Sequence, residues 1–312
     1  MSGGVRVLSP GLLTTVQDLG RYGHAHLGVS ASGSADSASA RVSNRLVGND
    51  DSCSVLEMTL VGGHFEFECG ATMALAGADF GATLDGAPVR LYEAVHVAAG
   101  AVFLCGSAPR GARSYLAIAG GFQIPAVLGS TSTHVTSGIG GLAGRSLIRG
   151  DILPIKAGVI GSARKVDGVL IRQLVNRGTL RVTAGPQQAI FGDRSVRDLC
   201  SQPYVVSEDS NRLGLRLHGR AIEPVNDPKM LTEGAALGAI QIPPGGNPII
   251  LFVEHQTTGG YPKIANVISA DLPAVGQLRP RDEIRFELVT MQEAIELLKA
   301  QEEILNRMIP RA

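Results

Sequence analysis

Four stretches gather the side chains that could bind a small polar molecule or move a proton. The first runs from Pro10 to Gly23 and continues through Ser32–Asp36 to Gly48 and Asn49; it carries Gln17, Asp18, Arg21 and Asp36. The second runs from Gly129 through Thr133 and the glycine-rich Gly138–Arg145 to Asp151. The third, Ser207–Gly219, carries Asp209, Arg212, Arg216 and His218. The fourth, Glu254–Lys263, sets Glu254, His255, Gln256, Thr257, Thr258, Tyr261 and Lys263 directly after the apolar run Ile249–Val253 and continues to Asp271 and Gln277. Arginine and lysine are the donors a carboxylate or phosphoryl group requires, and carboxamides and carboxylates can orient an amide. Any single Thr, Asp or Gly here could be ordinary turn chemistry. A tract as dense as the fourth, placed at the end of a buried strand, is where a pocket can use polar groups.

Several kinds of chemistry are excluded. No GxxxxGK[ST] phosphate loop occurs, because Gly138–Arg145 lacks the lysine and hydroxyl that would meet phosphate and magnesium. No GxSxG elbow and no HExxH pair is present, and His24 and His26, on one side of an extended segment, lack a third ligand. No metal site is expected. Cys53, Cys69, Cys105 and Cys200 form no CxxC pair and read as small buried hydrophobes in a reducing, cytoplasmic setting. The 28 basic residues balance the 28 acidic ones, which removes the overall field that would draw the chain to nucleic acid or to an anionic membrane. No apolar window approaches the length of a membrane span.

The elements that must position these residues are mainly strands. Segments at 64–68, 72–76, 95–97, 102–104, 180–183 and 169–171 are short, often alternating and bounded by glycine, and Asp85-Gly86 is a two-residue hairpin signal. Between Glu57 and Asp151 no stretch has helical apolar spacing, which argues against a doubly wound sheet. Helices are expected over 36–47, started by Asp36 and stopped by Gly48, and over about 291–308, opened by the capping box Thr290–Glu293. The apolar stripe of the second helix caps the core or docks on a partner. With 312 residues, two β-rich domains are expected, 1–160 and 161–312, as barrels or strongly curved sheets. If Ser207–His218 is extended, Arg212, Arg216 and His218 face away from Leu213, Leu215 and Leu217, offering charge on one side.

In order along residues 5 to 290, the tracts Val7–Asp50, LEMTLVGG (56–63), Ser114–Thr133, SEDSNRLGLRLHG (207–219) and HQTTGGYPKIANVISADLPAVGQLRPRD (255–282) resemble the allophanate hydrolase subunit 2 family, also called the KipA-like or biotin-dependent carboxyltransferase family. The resemblance implies a mainly β fold of two cyclophilin-like barrels. It implies the C subunit of an ATP-dependent 5-oxoprolinase complex that opens 5-oxoproline to glutamate, with ATP used by the complex. The implied partners are a KipI-like subunit 1 homologue, which is the B subunit, and a separate A subunit. The alternatives are a carboxyltransferase component of a urea carboxylase-like system, where biotin would be the cofactor, or a regulatory partner of the KipI-like protein. The site residues expected are Gln256, Thr257, Lys263, Asp36, Arg21, Asp209 and Arg212. The chain departs from the family pattern in carrying Glu254-His255 before QTTGGYP and Asp209-Ser-Asn-Arg-Leu-Gly214 in the third tract.

Overall fold

The alternating segments form strands in the computed structural model, which describes residues 3–161, 164–167, 171, 178–192, 195–225 and 230–310. The chain divides into two units, neither contiguous in sequence. Unit 1 comprises Met1–Arg21, Ser32–Arg172 and Ile304–Ala312; unit 2 comprises Tyr22–Ala31 and Gln173–Glu303. The strand expected at 169–171 falls on residues of which 169 and 170 lie outside the described residues.

Unit 1 contains β1 (Gly3–Ser9), β2 (Leu13–Gln17), β3 (Val55–Thr59), β4 (His64–Phe67), β5 (Ala71–Gly77), β6 (Thr83–Leu84), β7 (Ala87–Pro88), β8 (Ala94–Val97), β9 (Val102–Leu104), β10 (Arg113–Ile118) and β11 (Ile152–Ile155). They form a six-stranded sheet ordered β11-β1-β4-β9-β6-β7 and a five-stranded sheet ordered β2-β3-β10-β5-β8. The alternating side chains explain the arrangement: Phe65, Phe67 and Phe103 from the first sheet and Leu56, Met58, Met73 and Leu116 from the second are all buried in one core. The β6–β7 turn has Asp85 at φ 50° and Gly86 at φ 82°, the paired positive angles that an Asp-Gly hairpin requires.

Helix α1 (Ser37–Leu46) starts where expected, with the Asp36 carboxylate accepting from the Ser39 amide at 2.9 Å. The chain leaves α1 through Gly48 at φ 81°. Under α1, the Asp36 amide donates to the Tyr115 hydroxyl at 2.7 Å, and that hydroxyl donates to Glu57 at 2.9 Å. Burial, with the neighbouring Glu57 and Asp36 charges, pushes the Tyr115 phenol well above its ordinary value, so it remains a neutral donor.

Unit 2 is built from β12 (Thr179–Ala184), β13 (Tyr204–Val206), β14 (Gly214–His218), β15 (Glu233–Gly234), β16 (Ala239–Gln241), β17 (Ile249–Leu251), β18 (Thr258–Gly259), β19 (Lys263–Val267) and β20 (Glu283–Leu288). Seven of these close into a barrel, β12-β19-β16-β17-β14-β13-β20, sealed by the parallel pair β12–β20. Closure removes exposed edges without flanking helices. Strands β15 and β18 make a separate two-stranded ladder. Two short helices, α2 (Ser195–Cys200) and α3 (Leu272–Val275), precede the long α4 (Met291–Met308).

The capping box that opens α4 is formed in full, Thr290 N donating to Glu293 at 2.7 Å and Glu293 N to the Thr290 hydroxyl at 3.2 Å. Its apolar stripe is used internally: Ala294, Leu297 and Leu298 pack on Ile268 and Ala270, and Leu305 and Ile309 are buried. This favours the core-capping role over the docking role for the stripe, with only Met291 and Ile295 left as large exposed apolar side chains of the helix.

Three expectations are corrected by the fold. His24 and His26 are not on an extended segment, because Ala25–Leu27 is a turn of 3-10 helix. Of the cysteines only Cys105 is buried; Cys53, Cys69 and Cys200 are half-buried free thiols. The alternation over Ser207–His218 holds only from Gly214 onward, where Leu215 and Leu217 are buried and Arg216 and His218 exposed. Before β14 the chain turns at Asn211–Leu213, so Arg212 is buried and Leu213 is 39% exposed, the reverse of the expected faces.

Candidate active site

In unit 2 the fourth tract begins where β17 leaves the barrel. Phe252–His255 makes a turn closed by the His255 amide on the Phe252 carbonyl at 2.8 Å. This turn buries Glu254, whose carboxylate forms an ion pair with the Arg212 guanidinium, while Glu254 N donates to Arg212 O at 2.8 Å. The third and fourth tracts therefore meet. The Ser30 hydroxyl adds a bond to the His255 carbonyl at 2.8 Å, which brings the Tyr22–Ala31 segment, linking the two parts of the first tract, to the same place. His255 Nδ1 donates to Gln256 O at 2.7 Å, and burial lowers the imidazole pKa below its ordinary value, so the ring is neutral with Nε2 as an acceptor.

Lys263 opens β19 and is 4% exposed. Its ammonium lies 2.6 Å from Glu233 on β15, and Glu233 also accepts from Gln187 Nε2 at 2.6 Å. Gln187 in turn accepts from the Lys263 backbone amide at 3.1 Å. The hydrogen bond from Lys263 holds the Glu233 carboxyl below its usual value, so Glu233 is a carboxylate at neutral pH. Opposite Lys263 in the β16–β19 ladder stands Gln241, 1% exposed, whose Nε2 meets no hydrogen-bond partner among the described residues. Gly259 lies against it: a Cβ there would sit 2.7 Å from Gln241 Nε2 and 3.4 Å from Gln256 Nε2. Gln256 and Thr258 are exposed and Thr257 is half-buried, with its carbonyl accepting from Ala235 N at 2.9 Å. The result is a buried cation and a buried amide facing polar groups at the surface.

Two expectations about cations change here. As site cations, Arg212 and Lys263 are expected from the sequence to face solvent and to matter far more for turnover than for thermal stability; both are instead buried in ion pairs. Asp209 is exposed, its amide donating to the Ser207 hydroxyl at 3.2 Å. Gln241, Glu233 and Gln187 join the cluster without being singled out by the sequence. Gln241 offers one usable signal, a carboxamide in the otherwise apolar Ala239–Ile242 run.

In unit 1 the first and second tracts meet at Asp18. Its carboxylate accepts from Gly20 N at 2.7 Å, Thr131 N at 2.6 Å, the Ser130 hydroxyl at 2.6 Å and the Ser132 hydroxyl. Arg21, 2% exposed, donates to the Ser132 carbonyl, and Gln17 Nε2 to Thr133 O at 3.1 Å. Gly140 and Gly141 are glycine because a Cβ would lie 2.1 Å from Ser132 O and 2.0 Å from the Thr133 hydroxyl. The glycine-rich stretch thus serves close packing. Asp36 caps α1 in the same unit and is fully buried.

Burial alone would raise the Asp18 pKa, but the Ser130 and Ser132 hydroxyls and the Gly20 and Thr131 amides together take it below 3.8. A lowered folded pKa contributes stability above the unfolded value, and that contribution is lost as pH falls through the folded one. Asp18→Asn is therefore expected to cost ~1–3 kcal/mol at pH 7 through unsatisfied buried donors, with the gap to the parent protein narrowing below about pH 4. Urea unfolding at pH 7 and pH 3 checks this; an equal gap at both would show that the ionised carboxylate is not what matters.

Among the described residues no group of His, Cys, Asp or Glu could hold a metal ion, and no helix is long and apolar enough to cross a membrane. The C subunit of the Escherichia coli K12 5-oxoprolinase is 36% identical over 306 residues, which is 97% of this chain and 97% of that protein. The C subunit of the Haemophilus influenzae 5-oxoprolinase is 35% identical over 94% of each chain. The crystal structure of the K. lactis urea amidolyase superposes with a TM-score of 0.91 at 31% identity, over 98% of this chain and 20% of that one. The family model described as carboxyltransferase domain, subdomain A and B, matches residues 27–288, a span that runs from the Ser30 contact through the Arg212–Glu254 pair and the Lys263 cluster to β20. By sequence and by fold, the chain belongs to that carboxyltransferase-domain family.

Proposed function

We propose that this chain is the C subunit of an ATP-dependent 5-oxoprolinase, which opens the lactam of 5-oxoproline to glutamate together with a KipI-like B subunit and a separate A subunit. The observation that carries the reading is the match to the C subunit of the E. coli 5-oxoprolinase along 97% of both proteins. We place the complex in the cytoplasm, the reducing setting that four free cysteines suit.

A lactam resists water because its amide is stabilised by resonance, and opening it requires a donor at the carbonyl oxygen as negative charge develops there. Lys263 supplies a buried cation, held in place by Glu233 and Gln187. Gln256 and Thr257, at the surface of the same tract, orient the substrate; Arg212 fixes the turn that carries them through its pair with Glu254. Of the remaining candidates, Arg21 and Asp36 act on the packing of unit 1, and Asp209 is available to solvent. ATP supplies phosphoryl activation of the amide within the complex.

Purified A, B and C subunits with ATP are expected to release glutamate from 5-oxoproline; absence of release from a correctly assembled complex refutes the proposal. Lys263→Met is expected to lower turnover of that complex roughly 10²- to 10³-fold, as loss of one preorganised donor does. The measurement is made well below the variant's melting temperature, since a buried ion pair is also broken. Turnover within threefold of the parent would remove Lys263 from the site.

A second reading, carboxyl transfer with biotin as carrier, is favoured by the 0.91 TM-score to the K. lactis urea amidolyase. In that chemistry the same donors would face carbonate-like oxygens. Carboxylation of urea by the chain supplied with a biotin carboxylase and a biotinylated carrier domain would establish it.

A further inference from the structure

Gln241 is the feature that the fold alone does not explain. Its side chain is buried beside β18, on a strand whose other residues, Ala239 and Ile240, are apolar core. A buried amide donor without a partner costs free energy that an apolar side chain of the same shape would avoid, so its presence points to a partner that arrives from outside. Its cross-strand neighbour is Lys263, and residues opposite each other on adjacent strands carry their side chains to the same face. Gly259 leaves the space next to Nε2 open, since any Cβ there would come within 2.7 Å of it.

We propose that Gln241 Nε2 and Lys263 Nζ form a two-donor cradle for one planar oxygen acceptor, a carboxylate or an amide carbonyl, on the small molecule this chain binds. Gln241 is then a specificity residue: a neutral, fixed-length donor beside a cation recognises a planar sp² oxygen. This inference rests on the reading above for the identity of the ligand, 5-oxoproline, which carries both groups.

The test uses the full chain with ¹⁵N-labelled glutamine side chains, alone and assembled with its partner subunits, the Gln241 amide signal being identified by its loss in Gln241→Met. Three probes are added separately: 5-oxoproline, proline (carboxylate without the lactam carbonyl) and 2-pyrrolidinone (carbonyl without the carboxylate). The Gln241 signal is expected to shift with 5-oxoproline and with one of the two fragments, which identifies the oxygen held. In the complex, Gln241→Met and Gln241→Glu are expected to raise the KM for 5-oxoproline roughly 10- to 100-fold, with little change in kcat, because a donor to a charged or strongly polar acceptor is lost. Gly259→Ala, which drives a methyl against Nε2, is expected to do the same. An amide signal unmoved by all three probes in both states, or a kcat/KM within twofold of the parent for both Gln241 variants, overturns the inference and leaves the proposed function standing. A signal that shifts in a complex releasing no glutamate does the opposite.

Discussion

Arg212→Ala is expected to unfold unit 2 far more readily than it alters anything at the surface, with a loss of roughly 3–5 kcal/mol. The guanidinium and the Glu254 carboxylate are both almost fully buried, and removing one leaves the other as an uncompensated charge away from water. For a unit of this size that corresponds to a fall in melting temperature of about 10 °C or more. The control is Arg212→Met combined with Glu254→Leu, which removes both charges and is expected to recover most of the loss, because apolar side chains of similar volume often replace a buried pair at little cost. Urea unfolding of the parent, the single variants and the double variant measures the coupling. A single variant within about 1 kcal/mol of the parent, combined with lost turnover, would make Arg212 a residue of the site rather than of the fold.

The reversal for Arg212 shows which features a sequence can reveal. The Asp85-Gly86 hairpin, the Asp36 cap of α1 and the Thr290–Glu293 box are all decided by residues within a few positions of each other, and all three form as expected. Alternation also predicts correctly along β14, where the chain is extended. It fails at Arg212 because the turn at Asn211, in which the Leu213 amide donates to the Asn211 side chain at 2.8 Å, breaks the period just before the strand. The density of polar residues in Glu254–Lys263 is visible in the sequence, but the depth of Lys263 is not. Its counter-ion Glu233 lies thirty positions earlier and reaches it through the β15–β18 ladder, a pairing of two-residue strands that carries no periodic signal. Gln187 and Gln241 join the same cluster from two further strands or turns, so only the closed barrel brings them together.

The same long-range logic governs the end of the chain and gives the second large effect. Arg45, near the end of α1, is completely buried, and its guanidinium is divided between two tasks. Nε and Nη2 grip the Asp51 carboxylate at 2.6 and 2.8 Å, while Nη1 donates to Ile309 O at 2.9 Å, Leu305 O at 3.3 Å and the Asn306 side chain at 3.0 Å. The last carbonyls of a helix lack the next turn's amides, and at the end of α4 Arg45 adds a donor to Leu305 O, which also accepts from Ile309 N at 3.1 Å, and serves Ile309 O just beyond the helix. Arg45→Met keeps the apolar stem but leaves those carbonyls and Asp51 short of donors, so a loss of roughly 3–5 kcal/mol is expected in unit 1. Amides of residues 304–310 should then exchange with solvent much faster than in the parent, because their segment is tied to unit 1 through these bonds. Arg45→Lys is expected to fall nearly as far, since an ammonium cannot serve a bidentate carboxylate and three further acceptors at once. Acid titration separates this account from simple loss of packing. Burial would raise the Asp51 pKa, but the bonds from Arg45 and the Arg41 charge bring it below 3.8, so in the parent it adds stability above that pH that is lost as pH falls through the lowered value. Without Arg45 the largest single lowering contribution, its hydrogen bond, is gone while Arg41, 3.0 Å away, stays, and stability should fall less steeply below pH 4 than in the parent. An equally steep fall, together with unchanged exchange at 304–310, would mean that Arg45 acts as packing alone.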